Sequence, residues 1–119
     1  MKLASYRDLI AWQKGLDLCE AIYNTSSLFP QNELYGLTSQ IRRAAVSVPS
    51  NIAEGAGRIT KGELVQAVGY ARGSLFEVET QVYVAERWKF IGSAESTKLL
   101  EMTAEIGRLT GGLIRSLSN

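Results

Sequence analysis

The chain has 119 residues, a net charge of +1, no histidine, one cysteine and two prolines. That length suits one domain over residues 1–119, and 45% apolar with 21% charged residues is the balance of a globular chain, not a disordered one. Without histidine there is no Ser-His-Asp triad, no Cys-His pair and no ordinary zinc or di-iron site, so no catalytic residue, metal or cofactor is expected.

One cysteine forms no internal disulfide, which fits a reducing compartment. The stretch Met1-Lys2-Leu3-Ala4-Ser5-Tyr6-Arg7-Asp8 has no long apolar core, so no signal peptide is expected. No uncharged apolar run reaches about 18 residues, so no membrane partner is expected either, and the expected location is the cytoplasm.

The first segment runs from about Tyr6 to Leu28. Leu9, Trp12, Leu16, Cys19 and Tyr23 step by three and four along it, which places them on one helical face. Pro30 disfavours a helical Phe29 and ends the segment. The second segment starts at Asn32, a good N-cap, with Leu34, Leu37, Ile41, Ala44, Val48 and Ile52 as its stripe. Pro49 removes a backbone bond and crowds the carbonyl of Ala45, so a kink or short break is expected, with Ser50 or Asn51 capping a restarted turn. Gly55-Ala56-Gly57 stops the segment.

The third segment reaches from near Thr60 to about Phe90. Thr60 with Glu63 matches a capping box. Leu64, Val68, Ala71, Leu75, Val78, Val82 and Ala85 form a heptad seam. At 1.5 Å per residue this helix would be roughly 45 Å long. The fourth follows Gly92, with Ser93 as a candidate cap and Leu99, Met102, Ile106, Leu109 and Leu113 as its stripe. No segment alternates with period two, so the class is all-α. Short connections between long helices predict an antiparallel up-down-up-down four-helix bundle.

The third segment carries more apolar surface than one seam needs. Val65, Phe76, Tyr83 and Phe90 fall together, about 100° from the seam, with Gly69 on the same side. The fourth repeats the pattern with Leu100, Gly107, Gly111 and Ile114. Glycine inside a helix costs about 1 kcal/mol relative to alanine, so the pairs Gly69 with Gly73 and Gly107 with Gly111 are expected to admit a close neighbour. The stripe either widens the core or packs against another subunit. We expect the latter, a homo-oligomer whose interface uses Val65, Gly69, Phe76, Tyr83, Phe90, Leu100, Gly107 and Ile114.

Gly55-Ala56-Gly57-Arg58-Ile59-Thr60-Lys61-Gly62 is glycine-rich but fails the phosphate-loop spacing, since Lys61 precedes Gly62 and no strand leads into it. Glu77, Glu79, Glu86, Glu101 and Glu105 read as a solvated face. Charge is uneven: Thr38 to Arg72 carries five basic and two acidic residues, and Gly73 to Gly107 three basic and six acidic. Arg42, Arg43, Arg58, Lys61 and Arg72 are therefore the candidates for contact with phosphates of RNA or DNA. The alternative is that they pair with glutamates within or between subunits, which is the reading expected for Arg43.

The run Gln40-Ile41-Arg42-Arg43-Ala44-Ala45-Val46-Ser47-Val48-Pro49-Ser50-Asn51-Ile52-Ala53-Glu54-Gly55 resembles the signature of the 23S rRNA intervening-sequence protein family. Tyr6-Arg7-Asp8-Leu9-Ile10-Ala11-Trp12, Phe29-Pro30 with Glu33-Leu34-Tyr35-Gly36-Leu37, and Ala71-Arg72-Gly73-Ser74-Leu75-Phe76-Glu77-Val78-Glu79-Thr80-Gln81 match it in order. The resemblance covers about residues 6 to 91, and the fourth segment follows in pattern alone. It implies a bacterial four-helix bundle, often a ring-shaped homopentamer, with no enzymatic activity. Some members are encoded in insertions within 23S rRNA genes. A related branch, the accessory variability determinants of diversity-generating retroelements, is similar in fold, binds nucleic acid and partners a reverse transcriptase. That branch is strongly basic, where this chain carries +1. The expected function is a non-catalytic accessory factor that binds RNA or another nucleic acid. The alternative is a scaffold that recruits a protein partner without nucleic acid.

Overall fold

The computed structural model describes residues 5–118. Residues 1–4, part of the stretch expected to lack a leader, lie outside them. The described residues form four helices and no strand: α1 (Ile10–Ser26), α2 (Leu37–Ala56), α3 (Lys61–Arg87) and α4 (Ser93–Ser118). Two short 3-10 turns, Tyr6–Asp8 and Gln31–Glu33, precede α1 and α2. The molecule measures 44 × 24 × 19 Å. Each helix packs on its neighbour in sequence, and α4 closes on α1, giving a four-helix bundle.

The α3 seam is buried from Val68 through Ala71, Leu75, Val78 and Val82 to Ala85. On α2, Leu37, Ile41, Ala44, Val48 and Ile52 face it. Each large aliphatic side chain buried this way contributes about 1.5–3 kcal/mol. Leu34 is exposed, because α2 begins later than the sequence suggests. Asn32 does not cap α2. It sits inside the 3-10 turn, and the carboxylate of Glu33 accepts from the Leu37 N–H at 3.1 Å instead. Gly36 permits this reach, since a Cβ there would lie 2.7 Å from Glu33 Oε1.

The α1 face corrects the sequence reading. Ala11, Gly15, Leu18, Ile22 and Ser26 point inward, while Leu16 and Tyr23 are exposed and Leu9, Trp12 and Cys19 are half-buried against the core. The true face lies one residue, about 100°, from the expected one. Beside Leu18 and Ile22 it holds the small Ala11, Gly15 and Ser26, and Gly15 answers what it meets on α2. A Cβ on Gly15 would lie 3.1 Å from Pro49 Cβ, so the glycine seats the proline ring.

Pro49 does not break α2, which runs unbroken to Ala56. Proline has no N–H for the carbonyl four residues back, that of Ala45. The Cys19 thiol donates to that carbonyl across the helix pair, at 3.3 Å. Asn51 Nδ2 donates to Ser47 O at 2.7 Å within the same helix, so neither Ser50 nor Asn51 caps a restarted turn. The helix stops within Gly55-Ala56-Gly57 as expected, with Gly57 in the C-cap position and Gly55 in the last turn. A Cβ there would come within 2.6 Å of Ala67 Cβ, so this glycine sets the close approach of α2 to α3.

Thr60 caps α3 as expected, accepting from the Glu63 N–H at 3.1 Å, and its hydroxyl donates to the Glu63 carboxylate at 2.9 Å. The far end of α3 closes through Lys89, whose φ of 64° is left-handed. Phe90 N–H reaches Ala85 O at 2.8 Å and Lys89 N–H reaches Glu86 O at 3.0 Å, the two bonds of a Schellman ending. Ser93 is the first helical residue of α4, and Gly92 O accepts from Ser96 N–H at 3.1 Å in the cap position.

Candidate interaction surfaces

The α3–α4 contact carries a polar ladder that the apolar stripes do not reveal. Arg72, Glu79 and Glu86 stand seven residues apart on α3, and Thr110, Thr103 and Ser96 stand seven apart on α4. Arg72 Nη1 donates to Thr110 Oγ1 at 3.1 Å and to Gly107 O at 2.6 Å. Thr103 Oγ1 donates to Glu79 at 2.8 Å, and Ser96 Oγ to Glu86 at 2.6 Å. All three α4 hydroxyl residues are buried. Buried polar groups must be paired, and bonds to charged partners are the stronger kind, so the ladder fixes the register of the two helices. The signal lay in the heptad spacing of hydroxyl residues leading into Leu117.

This ladder accounts for Gly107, assigned to an interface from sequence, and for Gly111, paired with it as a small residue expected to admit a close neighbour. Gly107 supplies the carbonyl for Arg72, and its Cα faces Leu75 within the chain. A Cβ on Gly111 would lie 2.9 Å from Arg72 Nη1, so Gly111 leaves room for the guanidinium to cross α4. Phe90 is half-buried and packs on Phe29, with ring centroids 5.6 Å apart, and Leu100 also packs on the core. Val65 and Ile114 are half-buried.

Gly69 and Gly73 differ. A Cβ at either would meet nothing within 4 Å. They share the outer side of α3 with Phe76, 50% exposed, and Tyr83, 59% exposed. Tyr83 also borders a shallow groove with Thr80, Val84, Glu86 and Arg87.

The basic candidates do not converge. Arg42 faces α1: its Nε donates to Ser26 Oγ at 2.8 Å, its Nη2 to Ser27 Oγ at 3.2 Å and to Tyr23 O at 3.4 Å, and it stacks over the Tyr23 ring at 4.2 Å. Arg72 faces α4 in the ladder. Arg58 pairs with Glu54 at 2.6 Å on the exposed end of α2. Arg43 and Lys61 are exposed, and neither forms an ion pair among the described residues. Arg43 borders a groove between α2 and α3 with Gln40, Ser47 and Glu77.

The acidic residues are not one solvated face. Glu79 and Glu86 belong to the ladder, and Glu105 meets Lys14 at 3.7 Å. Among the described residues no three His, Cys, Asp or Glu side chains come together in a way that could hold a metal ion. Cys19 is half-buried, and burial pushes its thiol above the ordinary value, with a backbone hydrogen bond acting the other way. No helix among the described residues is long and apolar enough to cross a membrane.

No curated protein matches the chain. Among solved structures, the fold is similar to the 1.70 Å crystal structure of a protein with unknown function from the S23 ribosomal protein family of Bacteroides thetaiotaomicron VPI-5482. The TM-score is 0.81 at 20% identity, covering 88% of this chain and 98% of that one. The family model described as 23S rRNA-intervening sequence protein matches residues 7–112. With nearly the whole four-helix bundle inside that match, the chain belongs to the 23S rRNA-intervening sequence protein family.

Proposed function

We propose that this chain is a non-catalytic, self-associating helical bundle that acts as a scaffold, with the outer face of α3 seated on a second copy. The carrying observation is the open pair Gly69 and Gly73 beside exposed Phe76 and Tyr83. Two interior glycines cost a helix about 1 kcal/mol each, and no contact among the described residues uses the space they leave. Small residues four apart beside exposed aromatics suit the close approach of another helix. Several copies arranged head to side would close into a ring, and five is the number the family resemblance implies.

The same reading takes residues 1–119 as one domain whose helices run alternately up and down. Cys19 meeting Ala45, Ser26 meeting Arg42 and Arg72 meeting Thr110 support that direction. A non-catalytic role is supported by the lack of histidine and by a lone thiol that faces a carbonyl and is held protonated. A cytoplasmic location and kinship with the retroelement accessory proteins belong to this proposal as well. Sedimentation velocity of the purified chain tests it: a complex several times the mass of 13.0 kDa is expected, and a monomer at micromolar concentration would end it.

A second reading, binding of RNA or DNA, is favoured by Arg43 and Lys61, whose exposed charges self-association would repeat around the assembly. Arg42, Arg58 and Arg72 are engaged within the chain and contribute less to it. Filter binding at rising salt tests this: affinity falling steeply with salt is expected, and no retention at low salt removes it.

A further inference from the structure

A cavity of about 340 Å³ opens where α1 ends and α2 begins. Its polar side holds Arg42 and Thr38, and its apolar side Phe29, Pro30 and Leu34. Two features set it apart from the other hollows of the surface. The Arg42 guanidinium is locked by Ser26, Ser27 and the Tyr23 carbonyl and ring, yet none of these is an anion. Its Nη1 has no acceptor among the described residues, and no carboxylate pairs with it there. Independently, Thr38 is only 4% exposed, lines the same cavity, and uses its hydroxyl in no hydrogen bond among the described residues. Neither atom is sealed from the cavity, since the one fully buried side-chain polar atom without a partner among the described residues is Gln81 Oε1, so both present open donors to whatever fills the cavity.

We propose that this cavity binds a carboxylate carried on an apolar body, with Arg42 Nη1 and Thr38 Oγ1 as its donors. The serine hydroxyls are not available, since Ser26 and Ser27 already donate to Tyr23 O. Glu33, in the turn before α2, accepts from the Leu37 N–H and does not line the cavity. One cation faces the site, so a single negative charge is neutralised there and a phosphate dianion is not. A pre-ordered guanidinium loses little freedom on binding, which is what a ligand site requires. The wall of Phe29, Pro30 and Leu34 takes the aliphatic part of the ligand. The carboxylate belongs either to a free organic acid or to the C-terminus of a peptide.

Titration of the full chain with N-acetyl-leucine, followed by amide NMR shifts, tests the site. Saturable shifts confined to residues around Ser26, Gln31 and Thr38 are expected, and N-acetyl-leucinamide should produce none. Thr38→Val and Arg42→Gln should each weaken binding by about tenfold, the loss of a hydrogen bond to a charged group. Arg108→Gln, at an exposed position of α4, should leave it unchanged. Thr38→Val preserves shape, so it remains informative if Arg42→Gln disturbs the fold. A peptide ending in leucine, free or amidated, distinguishes the two sources: tighter binding of the free-ended peptide than of N-acetyl-leucine assigns a chain terminus, and equal binding assigns a free acid. Equal binding of the neutral amide, tighter binding of inorganic phosphate, no saturable shift, or full binding by both variants would overturn the proposal.

Discussion

The thiol of Cys19 on α1 satisfies the Ala45 carbonyl that Pro49 leaves unpaired on α2, across 3.3 Å. With the seat that Gly15 provides for the Pro49 ring, this makes a proline inside a helix compatible with an unbroken rod. Both devices come from α1, so the α1–α2 contact and the proline depend on each other.

Cys19→Ala should therefore destabilise the chain by about 1–2 kcal/mol, the cost of leaving a half-buried carbonyl unpaired. In a Pro49→Ala background the cost should shrink, because alanine restores the N–H that Ala45 O lacks. A double-mutant cycle by urea unfolding measures the coupling. Equal costs in both backgrounds would show that the thiol acts only as a space-filler.

The same thiol gives a pH dependence. Burial raises its pKa above the ordinary 9.0. In the unfolded chain the thiol loses its proton first, so its contribution is complete below pH 9.0 and declines as pH rises through the higher folded value. Thermal melts from neutral to alkaline pH should show a loss in the native chain that Cys19→Ser lacks. Parallel profiles for the two proteins would contradict it.

Much of the bundle was legible in the sequence, and the failures have physical causes. The α3 seam and the α2 stripe from Leu37 to Ile52 were readable because large aliphatic residues repeat there without interruption. On α1 the large residues Leu16 and Tyr23 mark the outer side, and the inner side sets Leu18 and Ile22 in line with two small residues that are not apolar bulk, Gly15 and Ser26. Those two serve Pro49 and Arg42, so no scan for apolar residues could find them. The α3–α4 ladder was hidden for the same reason. Thr103 and Thr110 are as buried as any leucine, yet their role appears only beside Glu79 and Arg72. For the candidate site, the apolar outer face of α3 was readable, but the division between glycines used within the chain and glycines left open was not.

That division predicts opposite outcomes for two similar substitutions. Gly111→Ala places a methyl against Arg72 Nη1 and displaces the guanidinium from Gly107 and Thr110. A net loss of about 1 kcal/mol is expected, since bonds to a charged group outweigh the helix propensity of alanine. In an Arg72→Met background the same substitution should stabilise. Chemical denaturation of the four proteins checks the reversal of sign.

The left-handed Lys89 offers a simple gain. Its φ of 64° suits glycine better than a residue with a Cβ. Lys89→Gly should stabilise by about 1 kcal/mol through the Schellman ending, read as a higher melting temperature. A lower one would mean that the lysine side chain contributes a contact of its own.

The most direct measurement is native mass spectrometry of the chain and of the variant carrying both Gly69→Ala and Gly73→Ala, purified without nuclease. Among the described residues of one chain these methyls meet nothing within 4 Å, and alanine favours the helix. An oligomer for the native chain and smaller species for the variant are the expected result. A native chain that is monomeric, or a variant that keeps its assembly and simply gains stability, would contradict the proposed seat of a second copy on α3.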